Sequence, residues 1–188
     1  MANTDNPFGF RAIRHRNGAP YCGNASLYHV AGTDAQTLAP GDPVKLTGTA
    51  DTHGIPTVTR AAAGDRLVGV FMGRTPGEGD LIFDDPLNTR PSTVNYILVI
   101  DDPDVVFEVQ ADGAIAAADI GLNADFVAAD PIEGRSHFEL DASTAAATVS
   151  LPLKIIRLVR REDNELGAFA KVEVMINKHA YGHATTGT

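Results

Sequence analysis

At 188 residues the chain suits one domain or two small ones, and its 44% hydrophobic and 21% charged content is that of a globular protein. Net charge is −9, and the acids are concentrated: Asp80 to Asp141 holds fourteen carboxylates against Arg90 and Arg135 alone, a block that repels nucleic acid. Trp is absent and aromatics are 6%, a poor supply for stacking bases or sugars, and a lone Cys22 allows neither an intrachain disulfide nor a thiolate cluster for a metal.

Residues 1–22 read as an N-terminal arm. Met1 to Pro20 shows neither helix nor strand period and lacks the apolar run of a signal peptide. It is basic, with Arg11, Arg14 and Arg16 against Asp5. Such a segment buries too little apolar area to offset its ordering entropy, so its expected support is a neighbouring subunit. Aromatic and arginine side chains are the usual anchors of interfaces. Phe8, Phe10, Arg11, Ile13, Arg14, Arg16 and Tyr21 are therefore the candidate contact residues of the arm. The alternative is that Phe8 and Phe10 fold back onto their own β core. A basic arm on an acidic body points to an acidic protein surface as its target, unless the arginines are merely solvated.

Residues 23–75 read as a first β unit. Ser26–Val30, Pro43–Thr47, Ile55–Ala61 and Arg66–Gly73 are short apolar or alternating runs, two of them preceded by Gly-Asp turns. Residues 76–93 form a connecting loop rich in Pro and Gly, of a length that is usually functional. Residues 94–176 read as a second β unit. Its runs are Val94–Ile100, Val105–Gln110, Ala124–Ala128, Ser136–Asp141, Leu151–Arg160 and Ala170–Ile176. Short runs punctuated by Gly, Pro, Asp and Asn predict an all-β or mostly β protein with a barrel or sandwich core. Helix is expected only at Gly113–Ile120 and Ala142–Ala147, on the strength of Ala. No stretch reaches the ~20 apolar residues of a membrane span.

Residues 177–188 read as a polar C-terminal tail. His179 and His183 are spaced i,i+4 and on a helix could hold a metal, but Gly182 and the missing Glu argue against it. His179 and Tyr181 are expected instead to touch a neighbour. Asp84-Asp85 and Asp101-Asp102-Pro103-Asp104 are read as solvated turns, since neither fits a calcium loop. The Gly-rich Gly73–Asp80 stretch lacks the Lys-Ser/Thr ending of a P-loop, and no G-x-S-x-G elbow occurs. The sequence thus predicts no catalytic residues, no metal and no cofactor.

Several stretches carry a resemblance. The opening NTDNPFGFRAIRHRNGAPY, the Gly-Asp-Pro-Val and Gly-Asp-Arg-Leu-Val-Gly-Val-Phe strands, the central DDPDVVFEVQADG and the closing VEVMINKHAYG look like head decoration (cement) proteins of tailed bacteriophages. The resemblance implies a β-rich, non-enzymatic structural protein made in the host bacterial cytoplasm and bound to the outer surface of the virion capsid. It implies that the protein clamps neighbouring major capsid protein subunits, self-associates with a trimer the expected state, and uses terminal arms to cross subunit seams. The unpaired Cys22 suits a reducing cytoplasm. On this reading, removal of residues 1–16 leaves a folded body that no longer binds capsids. The rivals are another virion part (tail-tube, head-completion or minor coat protein), a small β-barrel hydrolase or metal-dependent enzyme using His179, His183 and the acidic turns, and a carbohydrate-binding module weakened by the absent Trp and few Tyr.

Overall fold

The computed structural model describes residues 3–75 and 88–182. Strands hold 45% of the residues and helix 2%. In chain order they are β1 (Arg11–His15), β2 (Ser26–Val30), β3 (Pro43–Ala50), β4 (Pro56–Arg60), β5 (Gly69–Arg74), β6 (Asn95–Ile100) and β7 (Val105–Gln110). There follow β8 (Ala114–Ile115), β9 (Asn123–Val127), β10 (Glu139–Ala146), β11 (Leu153–Leu158), β12 (Gly167–Ala168) and β13 (Lys171–Ile176). The expected helix at Gly113–Ile120 is instead β8 plus one 3-10 turn at Ala117–Asp119. That at Ala142–Ala147 is the end of β10. Alanine's helix preference is a weak prior, and pairing with β9 overrides it here.

Two β units result. Strands β2-β4-β3-β5-β6 close a five-stranded barrel, antiparallel throughout except for the contact of β2 with β4. Tyr28, Val30, Val44, Val58, Phe71, Ile97 and Val99 fill it. Strands β1-β7-β13-β11-β9-β10 form an open, wholly antiparallel sheet. A bridge from Ala111 to Leu140 curls its far edge back toward β7. Inside the curl lies the larger core, with Phe10, Phe107, Phe126, Phe138 and Ile155, and the barrel's Ala61, Leu67, Val70 and Ile100 join it. The units therefore share one apolar core. The division expected at residues 93 and 94 moves accordingly. β6 belongs to the barrel, and the change of unit falls in the Asp101–Asp104 turn.

The N-terminal segment is an integral part of the sheet, which corrects the reading of residues 1–22 as an arm held by a neighbour. β1 pairs with β7 from Arg11↔Glu108 to His15↔Val105. Phe10 is buried in the core and meets Phe107 and Phe126 edge-on at 6.4 Å each. Ahead of it, Asn3 Nδ2 donates to the carbonyls of Glu165 and Ala168, and Asn6 N–H donates to Gln110 Oε1. Gly9 holds φ +71° with its Cα against Ser136, where a Cβ would lie 2.2 Å from the hydroxyl oxygen, so only glycine fits. The ordering entropy is offset by the chain's own body.

The described part of the tail, residues 177–182, is built in likewise. Leu67 N–H donates to Lys178 O and Ala180 N–H to Leu67 O, so residues 178–180 strap the sheet to the barrel. His179 is buried within this strap rather than presented to a neighbour. The Asp101–Asp104 turn is solvent-exposed at Asp102 and Asp104, as expected, while Asp101 is tied into the barrel. Asp101 accepts from the Ser26 and Tyr28 hydroxyls, Asp102 lies 3.3 Å from His15, and Asp104 pairs with Arg16.

Candidate functional site

One face of the six-stranded sheet packs on the core; the other carries charge. On β7 and β13 the alternation puts Phe107, Val109, Val172 and Val174 inward, and Glu108, Gln110, Lys171, Glu173 and Met175 on the opposite face. Glu108 and Glu173 are directly opposed across the ladder, and both are buried. Like charges so placed repel, and buried carboxylates require partners.

Two β-bulges supply those partners. In β1 the register slips between Ala12 and Arg14, leaving Ile13 as the extra residue and returning Arg14 to the face of Arg11. In β11 it slips between Ile155 and Arg157, which sets Arg157 opposite Glu173. Bulges re-aim side chains in this way. Arg14 donates from Nε and Nη2 to Glu173 Oε2 at 3.2 and 2.6 Å, and Arg157 Nε lies 2.9 Å from Oε1. Arg161 Nη1 sits 2.9 Å from Glu108 Oε1 without hydrogen-bond geometry, an electrostatic contact alone.

A cavity opens at each end of this strip. The first, about 610 Å³, lies at the Met175 end and is lined by Arg16, Lys154, Met175, His179 and Tyr181 among others. His179 Nδ1 accepts the Tyr181 N–H at 3.0 Å, and burial lowers the pKa of the ring, which keeps it a neutral acceptor. Tyr181 is exposed, its hydroxyl 3.2 Å from that of Tyr28. The second cavity, about 370 Å³, lies at the Lys171 end between Phe8, Arg11, Glu108, Arg161 and Lys171. The Arg11 guanidinium stands 5.0 Å over the Phe8 ring.

A second surface lies on the outside of the barrel. Leu27 and Leu98 are cross-strand neighbours, and a bulge between Phe71 and Gly73 turns Met72 outward beside Leu98. Leu27 and Met72 are 43% and 38% exposed. Tyr21, whose hydroxyl donates to Asn24 O, rests against Met72.

The expected contact residues thus divide. Phe8, Arg11 and Arg14 lie along the charged face with Arg16, His179 and Tyr181 at its far end, Tyr21 borders the barrel's apolar strip, and Phe10 lies in the core. Ile13 is the bulged residue of β1, half-buried. Glu108, Glu173, Arg157 and Lys171, on strands, and Arg161, in the loop after β11, all come from segments remote in sequence. The only local signal was the charge alternation of AKVEV in β13. Among the described residues no group of three or more His, Cys, Asp or Glu is placed to hold a metal, while His183 and Asp84-Asp85 lie outside them. Compared with protein-family models, curated proteins and solved structures, the chain matches none.

Proposed function

We propose that this chain is a structural virion protein that binds the outside of a tailed-phage capsid and bridges major capsid protein subunits. The observation that carries the reading is one body bearing two surfaces of different chemistry on its two β units. The barrel shows an apolar patch in which Leu27 and Met72 are exposed and the half-buried Leu98 and Tyr21 lie beside them, and the sheet shows a face of ordered charge. Contiguous exposed apolar side chains mark protein contacts. A clamp needs two faces and a stiff connection, and the shared core with the strap at residues 178–180 supplies the connection. Summed over many copies, modest contacts raise the free-energy cost of subunit separation. The sequence resemblance to decoration proteins supports the same reading. The contact surface is the folded body, not a free arm.

Sedimentation of the purified protein with empty phage shells tests this. Saturable binding in hundreds of copies per shell supports decoration. A few copies per shell points to a head-completion or tail role, and no binding refutes a virion-surface function. Light scattering of the free protein reads whether it is the trimer that the family resemblance implies.

A further inference from the structure

We infer that the charged face of the six-stranded sheet is a docking surface for an acidic protein surface, with Arg11 and Lys171 as the groups that receive the partner's carboxylates. The inference deepens the structural-protein reading and rests on it only for the identity of the natural partner.

Charge is the first argument. Across the two cavities and the strip between them, cations outnumber carboxylates seven to four: Arg11, Arg14 and Arg16 from the N-terminal strand with Lys154, Arg157, Arg161 and Lys171, against Asp104, Glu108, Asp163 and Glu173. The face is net +3 on a chain of net −9. Segregation of this kind steers association with a surface of opposite sign.

Division of labour is the second argument. Arg14 is spent inside the molecule, with Nε and Nη2 on Glu173 and Nη1 on the His15 carbonyl. Arg157 is oriented by the buried Glu173, and Arg161 by Glu108 through Nη1 and by Asp163 at 3.3 Å from Nε, with both arginines still exposed to solvent. The side chains of Arg11 and Lys171 make no hydrogen bond or ion pair among the described residues, yet both line the second cavity. Arg11 is held by its stacking over Phe8, a preorganised planar donor. The site pairs fixed cations with unspent ones around an opening of side-chain size.

The interspersed carboxylates select the partner. The fixed, unbroken phosphate line of duplex DNA would meet the exposed Asp104 and Asp163 as well as the cations, whereas the carboxylates of a polypeptide, each on its own side chain, can settle on the cations alone. A protein surface can set Lys or Arg against those acids and Asp or Glu against Arg11 and Lys171. Strand addition is also disfavoured, since the bulges in β1 and β10 break both edge ladders. The docking is face-on, through side chains.

The test is titration of the 15N-labelled full chain with poly-L-glutamate, read by amide and arginine Nε shifts and repeated at rising salt. Shifts clustered on β1, β13 and residues 157–163, weakening with salt, are expected. The double variant Arg11→Gln/Lys171→Gln, which removes both cations without setting a new carboxylate opposite the buried Glu108, is expected to lose at least tenfold in affinity while keeping the parent's well-dispersed amide spectrum. Arg135→Glu, in the turn before β10 and outside both cavities, is expected to bind as the parent does. Undiminished binding by the double variant, shifts centred on the barrel, or tighter binding of duplex DNA than of poly-L-glutamate would overturn the inference. Shell sedimentation separates the two readings. A double variant that loses poly-L-glutamate but still coats shells leaves decoration standing through another face. A parent that binds poly-L-glutamate but ignores shells keeps the face and removes decoration.

Discussion

Phe10 shows how a residue's role turns on where its neighbours come from. In sequence it is an aromatic on an aperiodic segment; in the fold it is the wedge between Phe107 and Phe126, 4% exposed. Phe10→Ala is therefore expected to cost about 3–5 kcal/mol through the lost burial and the cavity left behind, and to lower the melting temperature by roughly 10 °C. Calorimetry reads it; a change below a few degrees would place Phe10 outside the core. Asp42 is the complementary case, a carboxyl with no exposed surface. Burial pushes its pKa from 3.8 to about 6, against the opposing pull of the Ser136 hydroxyl and the Ala39 N–H. Because the folded state holds the proton more tightly, the stability associated with this group is greatest when it is protonated. That contribution falls as pH rises from 3.8 through about 6, and the cost above that window is ~3 kcal/mol. Glu139, raised to about 7 by burial and by Asp5 and Asp112, acts in the same sense. Asp42→Asn keeps an acceptor for the Ala39 N–H and is expected to raise the melting temperature at pH 8 and to flatten the pH dependence between 4 and 7. A lower melting temperature for the variant at pH 8 would contradict this account.

At the scale of elements, the strands with a clean period were legible. β13 alternates Val with charged residues, β7 is a Val-rich run that follows a turn, and β6 is an apolar run. β1 was not, because its bulge at Ala12/Arg14 breaks the two-residue period that marks a strand, and its support comes from β7, about ninety residues away in sequence. β10 was obscured by its alanines, and β8 and β12 are two residues each, too short to carry a pattern. The same bulges hid the site. Arg14 could be singled out as a basic residue, but its partner Glu173 is 159 positions distant and its companion Arg157 reaches Glu173 only through a second bulge. β1 also revises the truncation experiment. Deleting residues 1–16 removes an edge strand and Phe10 and leaves Glu173 and Glu108 with fewer cations. The deletion is expected to lose cooperative unfolding rather than to yield a folded body defective in binding. A deletion product with the parent's melting temperature and well-dispersed amide spectrum would restore the arm.

At the scale of the whole molecule, the proposed function is mechanical: under it, one body would set the apolar patch of its barrel and the basic face of its sheet against two neighbouring subunits. The closed barrel has no edge, and the sheet's two edges are bulged, so the molecule presents side-chain surfaces instead of strand templates. The most direct measurement is hydroxyl-radical footprinting of the protein on empty phage shells against the free protein. Loss of oxidation at Met72 and Tyr21 on the barrel strip, together with Phe8 and Met175 along the sheet face, is the predicted result. Protection of only one of these surfaces, or of neither, would contradict bridging.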